Sequence, residues 1–494
     1  MSAPHRDDMD DAPEMLDVDD ALEEIEDMEG DVAMDSDEEP VEINIQNDSI
    51  AYFDGHKDSV FAIAQHPTQP TLIATGGSEG EEDNAPGRGY VFDTSPVVGR
   101  PVLPPSYNAD PNASRQKSTE LQPLFTIEGH TDSINSLAFT LPRGEFLVSG
   151  GLDGKLRAYK VSFNAHNKAS FAFVAEAAEV PSIEWIAPCP VPSNSQTVVA
   201  NTIALGASDG SVWVYTIDPS DGSNPLQMVQ SYFLHQESCT AGAWSSDGKF
   251  LATVSEDSSL YVWDVWGEAA AKGLTNDNGQ TVVSLTSSDQ RFAVEGGLYS
   301  VAIDPKVSFV AVGGAGGFIK IISLPRLGVD SNPVSSNKSK KKAKGADAGG
   351  SQGGTILADL HTQGDGIETL SFSPNNPLLA AGSVDGSIVI YDTSRQFAVR
   401  KQIKDAHEEF SVVKVEFVPG LGDGWLLTSC GMDGVVRRWD VRGAAGASTD
   451  SMVKEWKGHR GNGELGGVLG FVQGSTGERV ATAGDDSIVL LFEA

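Results

Sequence analysis

A chain of 494 residues with 70 acidic against 34 basic side chains carries a formal net charge of −36 and is long enough for several domains. Its acidity repels phosphate backbones and anionic lipid, which argues against direct nucleic-acid or membrane binding and favours basic protein partners. Three cysteines, Cys189, Cys239 and Cys430, cannot all pair and show no metal-ligand spacing, and no apolar run is long enough to span a bilayer, so the sequence reads as a soluble intracellular protein with reduced thiols; the expectation is a monomer in the cytoplasm, with the nucleus as a second location.

Residues 1–48 hold 20 of the acids and a single Lys or Arg, Arg6, with few large apolar side chains. High charge and low hydrophobicity predict a disordered acidic tail that solubilises the chain or steers a partner to it. Leu16, Val18, Leu22 and Ile25 offer one amphipathic turn, and Ser36, followed by Asp37, Glu38 and Glu39, fits an acidophilic kinase site.

From residue 49 onward one phrase recurs: a turn Asp, a short β-prone run, and an aromatic residue six places later. It is clearest in GMDGVVRRWDV, Gly431 to Val441. The same spacing joins Asp153 to Tyr159, Asp209 to Tyr215, Asp257 to Trp263, Asp385 to Tyr391, Asp433 to Trp439 and Asp486 to Phe492. Looser copies end at Phe92 and Ile322, which makes eight units. Gly-His pairs at Gly55-His56, Gly129-His130 and Gly458-His459, and a bare His at His235 and His407, precede five of them. The pattern resembles the WD40 repeat. In the fourth unit CTAGAWS, KFLATVSED and SLYVWDV read as strands bounded by turns such as Asp247-Gly248, with SYFL ahead of them as a fourth. A four-stranded sheet with two apolar faces must stack on like neighbours, and radial stacking closes the array. The expected fold is therefore all-β: an eight-bladed WD40 β-propeller over residues 49–494, behind a disordered acidic tail at 1–48.

In such repeats His, Ser or Thr, turn Asp and aromatic residue form a hydrogen-bonded chain. The resemblance implies it for His235, Thr253, Asp257 and Trp263 and for His407, Ser429, Asp433 and Trp439, which makes these residues structural, not catalytic. Ile50 to Phe53 has no earlier blade to join, and the last repeat has only three strands of its own. Pairing beside Ser487 to Phe492 would close the ring.

Three insertions interrupt the repeats and are expected to be mobile: Glu79 to Gly89 inside the first unit, Pro96 to Lys117 between units one and two, and Gly328 to Gly354 between five and six. The last contains Lys338, Lys340, Lys341, Lys342 and Lys344, a solvated loop or a nuclear import signal. The chain has no GxSxG, HExxH, CxxC or Walker-type motif, and the glycines from Gly313 to Gly317 lack a following Lys-Ser/Thr and a helix. The expectation is a binding protein, not an enzyme, with no cofactor and no metal.

By analogy with WD40 proteins, loops from the fourth strand of one blade to the first of the next, and from second to third strands, share the top face. This places Asp58, Asp132, Glu237, Glu295, Asp365, Glu408, Glu409 and Glu464 in the first loop set and Glu256 and Asp485 in the second. Glu184 and Glu368, with Phe61 and Tyr299, fall just inside first strands and should look into the channel mouth. Only Lys57 and Arg460 oppose them on this reading. Converging carboxylates raise a potential that no single one has, and a Lys or Arg held between them makes charge-assisted hydrogen bonds.

The acidic tail, the eight repeats and the wording of YFDGHKDSVFAIAQHP and LATVSEDSSLYVWDV together resemble the family of fungal dedicated chaperones of the large-subunit ribosomal protein L-ten, whose animal relative is the angio-associated migratory cell protein. The resemblance implies that the basic N-terminus of that ribosomal protein is captured on the acidic top and kept soluble until it joins the 60S subunit. Two other readings remain at this point. Trp439-Asp440-Val441-Arg442 matches the WDxR box of substrate receptors of cullin-type ubiquitin ligases, and an acidic top with a nuclear location would suit a histone-binding propeller.

Overall fold

The computed structural model describes residues 46–80, 85–99, 118–192, 198–327, 353–420, 422–443, 451–460 and 466–494. The compact unit spans Gln46–Ala494. The tail residues up to 45, the loop lysines from Lys338 to Lys344, and Glu464 lie outside the described residues.

Among the described residues thirty-three strands form eight sheets, seven of four strands and one of five. Each four-stranded sheet is an antiparallel blade whose strands run outward in chain order, with the first innermost. Blade 4 is typical: Ala241–Trp244 is inner, Phe250–Val254 and Leu260–Asp264 follow, and Thr281–Leu285 is outermost. The middle strands of this blade are buried throughout because both faces pack against neighbouring blades. Among the described residues the only α-helix is Glu268–Ala271.

SYFL corrects one sequence expectation. Leu226–Tyr232 pairs with Val212–Ile217 and so forms the outer strand of blade 3, not the fourth strand of blade 4. Sequence repeat and blade are out of phase by one strand, so every repeat laces two blades together. The insertions follow the same logic. The long ones leave between the third and outer strands of blades 1 and 5, after Gly87–Asp93 and Phe318–Ser323, on the face opposite the loops that join one blade to the next.

The ring closes as expected. Ala51–Phe53 pairs antiparallel with Val489–Leu491, and the Ile50 amide donates to the Leu491 carbonyl at 2.8 Å. A short strand, Thr119–Glu120, adds in parallel outside it as the fifth strand of blade 8. Upstream of the closing strand, the Asp48 amide donates to the Lys457 carbonyl and the Lys457 amide donates back to the Asp48 carboxylate.

Blades approach closely where second strands end in glycine. A Cβ on Gly150 would lie 2.7 Å from Ile183 Cγ2, and one on Gly382 would lie 2.8 Å from Val412 Cγ1, each on the inner strand of the next blade. Inner strands also bond to one another: Thr240 Oγ1 donates to Leu298 O at 2.5 Å, and Ser300 Oγ donates to Ile367 O at 2.7 Å.

The hydrogen-bonded chains are present, with one variation. Trp439 Nε1 donates to Ser429 Oγ at 2.8 Å, and Ser429 Oγ lies 2.7 Å from His407 Nε2. Because Trp only donates and a carboxylate only accepts, His407 receives the Ser429 proton at Nε2 and donates from Nδ1 to Asp433 at 2.9 Å. In blade 4, Thr253 bridges Trp263 and His235 in the same way. There, however, Asp257 stands 4.0 Å from His235, and Ser259 lies between them, its hydroxyl on His235 Nδ1 and its amide on Asp257. Blades 2 and 8 add His130 with Ser149 and Asp153, and His459 with Thr482 and Asp486. Blade 5 abandons the network: Val294, Val312 and Ile322 fill those places, all buried. The three cysteines are free and buried, and burial raises every thiol, that of Cys430 to about 12.

Candidate acidic top face and channel mouth

Each inner strand begins the same way. A wholly buried residue (Val60, Ile134, Ile183, Cys239, Leu298, Ile367, Val412, Val468) anchors it against the neighbouring blade. The next residue is extra to the pairing: a β-bulge falls at Asn135, Glu184, Tyr299, Glu368, Val413 and Leu469. A bulge leaves its residue unpaired and re-aims the side chain. Phe61 and Thr240 hold the corresponding places in blades 1 and 4, so eight residues, one per blade, ring the channel mouth.

Glu184 and Glu368 are two of the eight, as their place in the sequence predicts. Glu184 is half-buried, and its carboxylate accepts from Ser182 Oγ at 2.6 Å. Glu368 reaches water, yet protein surrounds it in the mouth. Burial, and then the charge of Asp365, raise its carboxyl above the ordinary range. Tyr299 sits between them in the ring, its hydroxyl donating to Gly296 O at 2.8 Å. Burial first, and then the charges of Glu256, Glu368 and Glu237, raise its phenol. Three acids from different segments, on blades 4 and 6, therefore converge around one tyrosine on blade 5.

The other candidates stand farther out or are held locally. Glu237, Glu256, Glu295, Glu408 and Glu409 are exposed loop residues. Asp58, Asp132 and Asp365 each turn back to accept the amide of the following residue at 2.7 Å. Asp485 accepts from Ser59 Oγ at 2.5 Å, which ties it to the Asp58 loop across the junction of blades 8 and 1.

The loops hold more bases than the sequence reading finds. With the strand ends known, Lys155, Arg291, Lys404 and Lys457 join Lys57 and Arg460. Three of the four are paired locally: Arg291 with Asp289 at 2.7 Å, Lys457 with Glu455 at 2.9 Å, and Lys155 3.7 Å from Asp153. Inside the ring the sign is uniform, since no bulge residue is Lys or Arg. The one basic residue of the inner strands, Lys414, is paired with Glu416 at 3.0 Å. A reading by charge passes over Asn135, Thr240, Val413 and Leu469. The signal that finds them is positional: each follows the wholly buried residue that opens its inner strand.

The arrangement offers carboxylates to a cation and contains no reacting constellation. No cluster of metal-ligating side chains occurs among the described residues. The box residue Arg442 closes on Asp440 two positions earlier, its Nε 2.9 Å from Oδ2. None of the helices in the described residues is long and apolar enough to cross a membrane.

The family model for the WD domain, G-beta repeat, matches residues 47–81, 121–160, 226–264 and 354–392. Chaetomium thermophilum Sqt1, solved bound to the N-terminus of the ribosomal protein L10, superposes with a TM-score of 0.77 at 58% sequence identity, over 91% of this chain and 100% of that one. The ribosome assembly protein SQT1 of Saccharomyces cerevisiae is 29% identical over 94% of this chain and 90% of its own length. The human angio-associated migratory cell protein is 22% identical over 90% of this chain and 80% of its own. With 58% identity across the whole of the Chaetomium chain and the repeat model matched in four places, the chain belongs to the Sqt1 family of WD40-repeat ribosome assembly proteins.

Proposed function

We propose that this protein is a dedicated chaperone of the large-subunit ribosomal protein L10, which captures the basic N-terminal segment of its client on the acidic top face and delivers it to the assembling 60S subunit. The observation that carries the reading is the convergence of Glu237, Glu256 and Glu368 around Tyr299 at the channel mouth, where six of the eight inner strands carry a bulge, Tyr299 and Glu368 among them. The Chaetomium relative with the L10 N-terminus bound supports the identity of the client. The action is binding in the cytoplasm, without catalysis or cofactor. Glu184 and Glu368 hold the centre, and Glu237, Glu256, Glu295, Glu408, Glu409, Asp485, Asp58 and Asp132 surround them.

A central carboxylate that a bound client would cover contributes more than one at the rim, because an interfacial charge left unpaired there costs about 2 to 5 kcal/mol. Titrating the L10 N-terminal peptide against wild type, Glu368→Lys and Asp132→Lys at two salt concentrations tests the reading. The expected result is a loss on the order of 30-fold or more for Glu368→Lys, slower dissociation lost first, and a small, salt-sensitive change in association for Asp132→Lys. Wild-type affinity in Glu368→Lys would end the proposal.

A further inference from the structure

The ring of eight residues at the channel mouth is not uniform. From blade 2 to blade 6 it runs Asn135, Glu184, Thr240, Tyr299 and Glu368, all polar or hydrogen-bonding. From blade 7 through blade 8 to blade 1 it runs Val413, Leu469 and Phe61, all apolar. These three blades are contiguous because the closing strand makes them so: Lys414 Nζ donates to Phe471 O at 2.9 Å between blades 7 and 8, and the Val60 amide donates to Gly484 O at 3.1 Å between blades 8 and 1. Phe61 keeps 40% of its surface exposed, and Leu469 and Val413 are half-buried, so the arc faces the mouth as apolar surface. Its rim is acidic, for Asp58 and Asp485, joined through Ser59, stand at the junction of blades 8 and 1.

We propose that the apolar arc Val413, Leu469 and Phe61 is a seat for one large apolar side chain of the client segment, set between the basic residues that the acids hold. The inference rests on the client-binding reading of the same face and adds what that reading lacks, a register. Carboxylates around a mouth accept Arg or Lys at many offsets, since exposed ion pairs are weakly directional. One apolar side chain in a fixed arc removes that freedom, because burial rewards a single offset. The occupant is thus an extended basic segment with a single bulky apolar residue between its cations. An exposed aromatic ringed by acids is the surface such a segment complements.

The test uses two synthetic peptides of equal length and arginine content, one carrying a single Leu between its arginines and the other Ser at that place. They are titrated against the full chain, Phe61→Ser, Leu469→Ser, Phe61→Leu and Glu368→Lys, in low salt and at about 1 M salt, where the screening length is about 3 Å. The Leu peptide should bind wild type about tenfold more tightly than the Ser peptide, and the ratio should persist at high salt. Phe61→Ser and Leu469→Ser should bring the ratio toward one, while Phe61→Leu keeps it and Glu368→Lys weakens both peptides alike. Phe61→Leu also shows that any loss in Phe61→Ser comes from the apolar surface and not from misfolding. Equal affinity of both peptides for wild type, or an unchanged ratio in both serine variants, overturns the seat. Should Glu368→Lys bind as wild type while the ratio stands, the acidic reading fails and the seat survives; binding of neither peptide ends both.

Discussion

Single residues set the rigidity on which the top face depends. Ser429 is the middle of the blade 7 chain: it takes the Trp439 proton and passes its own to His407, which holds Asp433. Arg437 bonds the outer oxygen of Asp433 and donates to Glu455 at 2.8 Å, so the buried carboxylate is fully engaged. Replacing Ser429 by Ala strands a buried indole N–H and an imidazole nitrogen, and chemical denaturation should show a loss of about 1 to 3 kcal/mol. Blade 5 shows that the network is not the only solution, since Val294, Val312 and Ile322 meet the same need with apolar surface. The histidines make stability depend on pH. Burial pulls His56 to about 3, and it pulls His235 to about 4 against the nearby charge of Asp257. The unfolded chain takes up these protons near 6.5, so it binds more protons than the folded one below that pH, and stability falls as pH drops from about 6.5 toward 4. For Asp153, burial pushes upward, but bonds from His130 and the amides of Thr131 and Lys155 prevail and hold it at about 2. Its contribution, present above the unfolded value near 4, is lost between there and about 2. Denaturant melts at pH 7 and pH 5 should show the lower stability at pH 5, and His56→Gln should flatten the difference. A slope unchanged in that variant would show that His56 does not carry it.

At the scale of the element, the closing strand decides whether the blades form a ring. Without Ala51–Phe53, Val489–Glu493 would become an open edge with unpaired amides, a template for association. A chain beginning at Gln46 should melt as the full chain does, whereas one beginning at Asp54 should melt a few °C lower, on the order expected for losses of a few kcal/mol in a chain of this length, and scatter light on standing. Equal melting of the two would mean that the ring does not need this strand. The closure is legible in the sequence because a β-prone run with no earlier blade and a last repeat with three strands call for each other. The Asp-to-aromatic phrase is equally legible, since one tight turn and one strand fix both ends of it locally. The stagger between repeat and blade is not, because which strand Leu226–Tyr232 joins is a long-range choice. The bulges escape for the same reason: Tyr299 and Val413 are extra only relative to a partner strand. The count of bases in the loops fails on strand ends, which place Lys404 just past Ile403 and leave Lys155 outside both strands that flank it.

The whole molecule adds a field to these contacts. Two populations of acid share the chain: those placed by blades around the mouth, and the 20 of residues 1–48, where Arg6 is the one Lys or Arg. On the proposed function, the first would act over hydrogen-bond distances and set how long a basic client stays. On the same reading the second, Asp48 apart, would act through charge and set how often it arrives, because screening at physiological ionic strength limits their reach to about 8 Å. The two effects separate by experiment. A chain beginning at Gln46 retains Asp48 on Lys457, the closing strand and every mouth residue, so its dissociation rate from the L10 peptide should equal that of the full chain. Its association rate should be severalfold lower at low ionic strength and should converge on the full-length value as salt is raised. Equal association rates at low salt would remove the tail from capture and leave it a solubilising role. A faster dissociation would show instead that the tail touches the bound client.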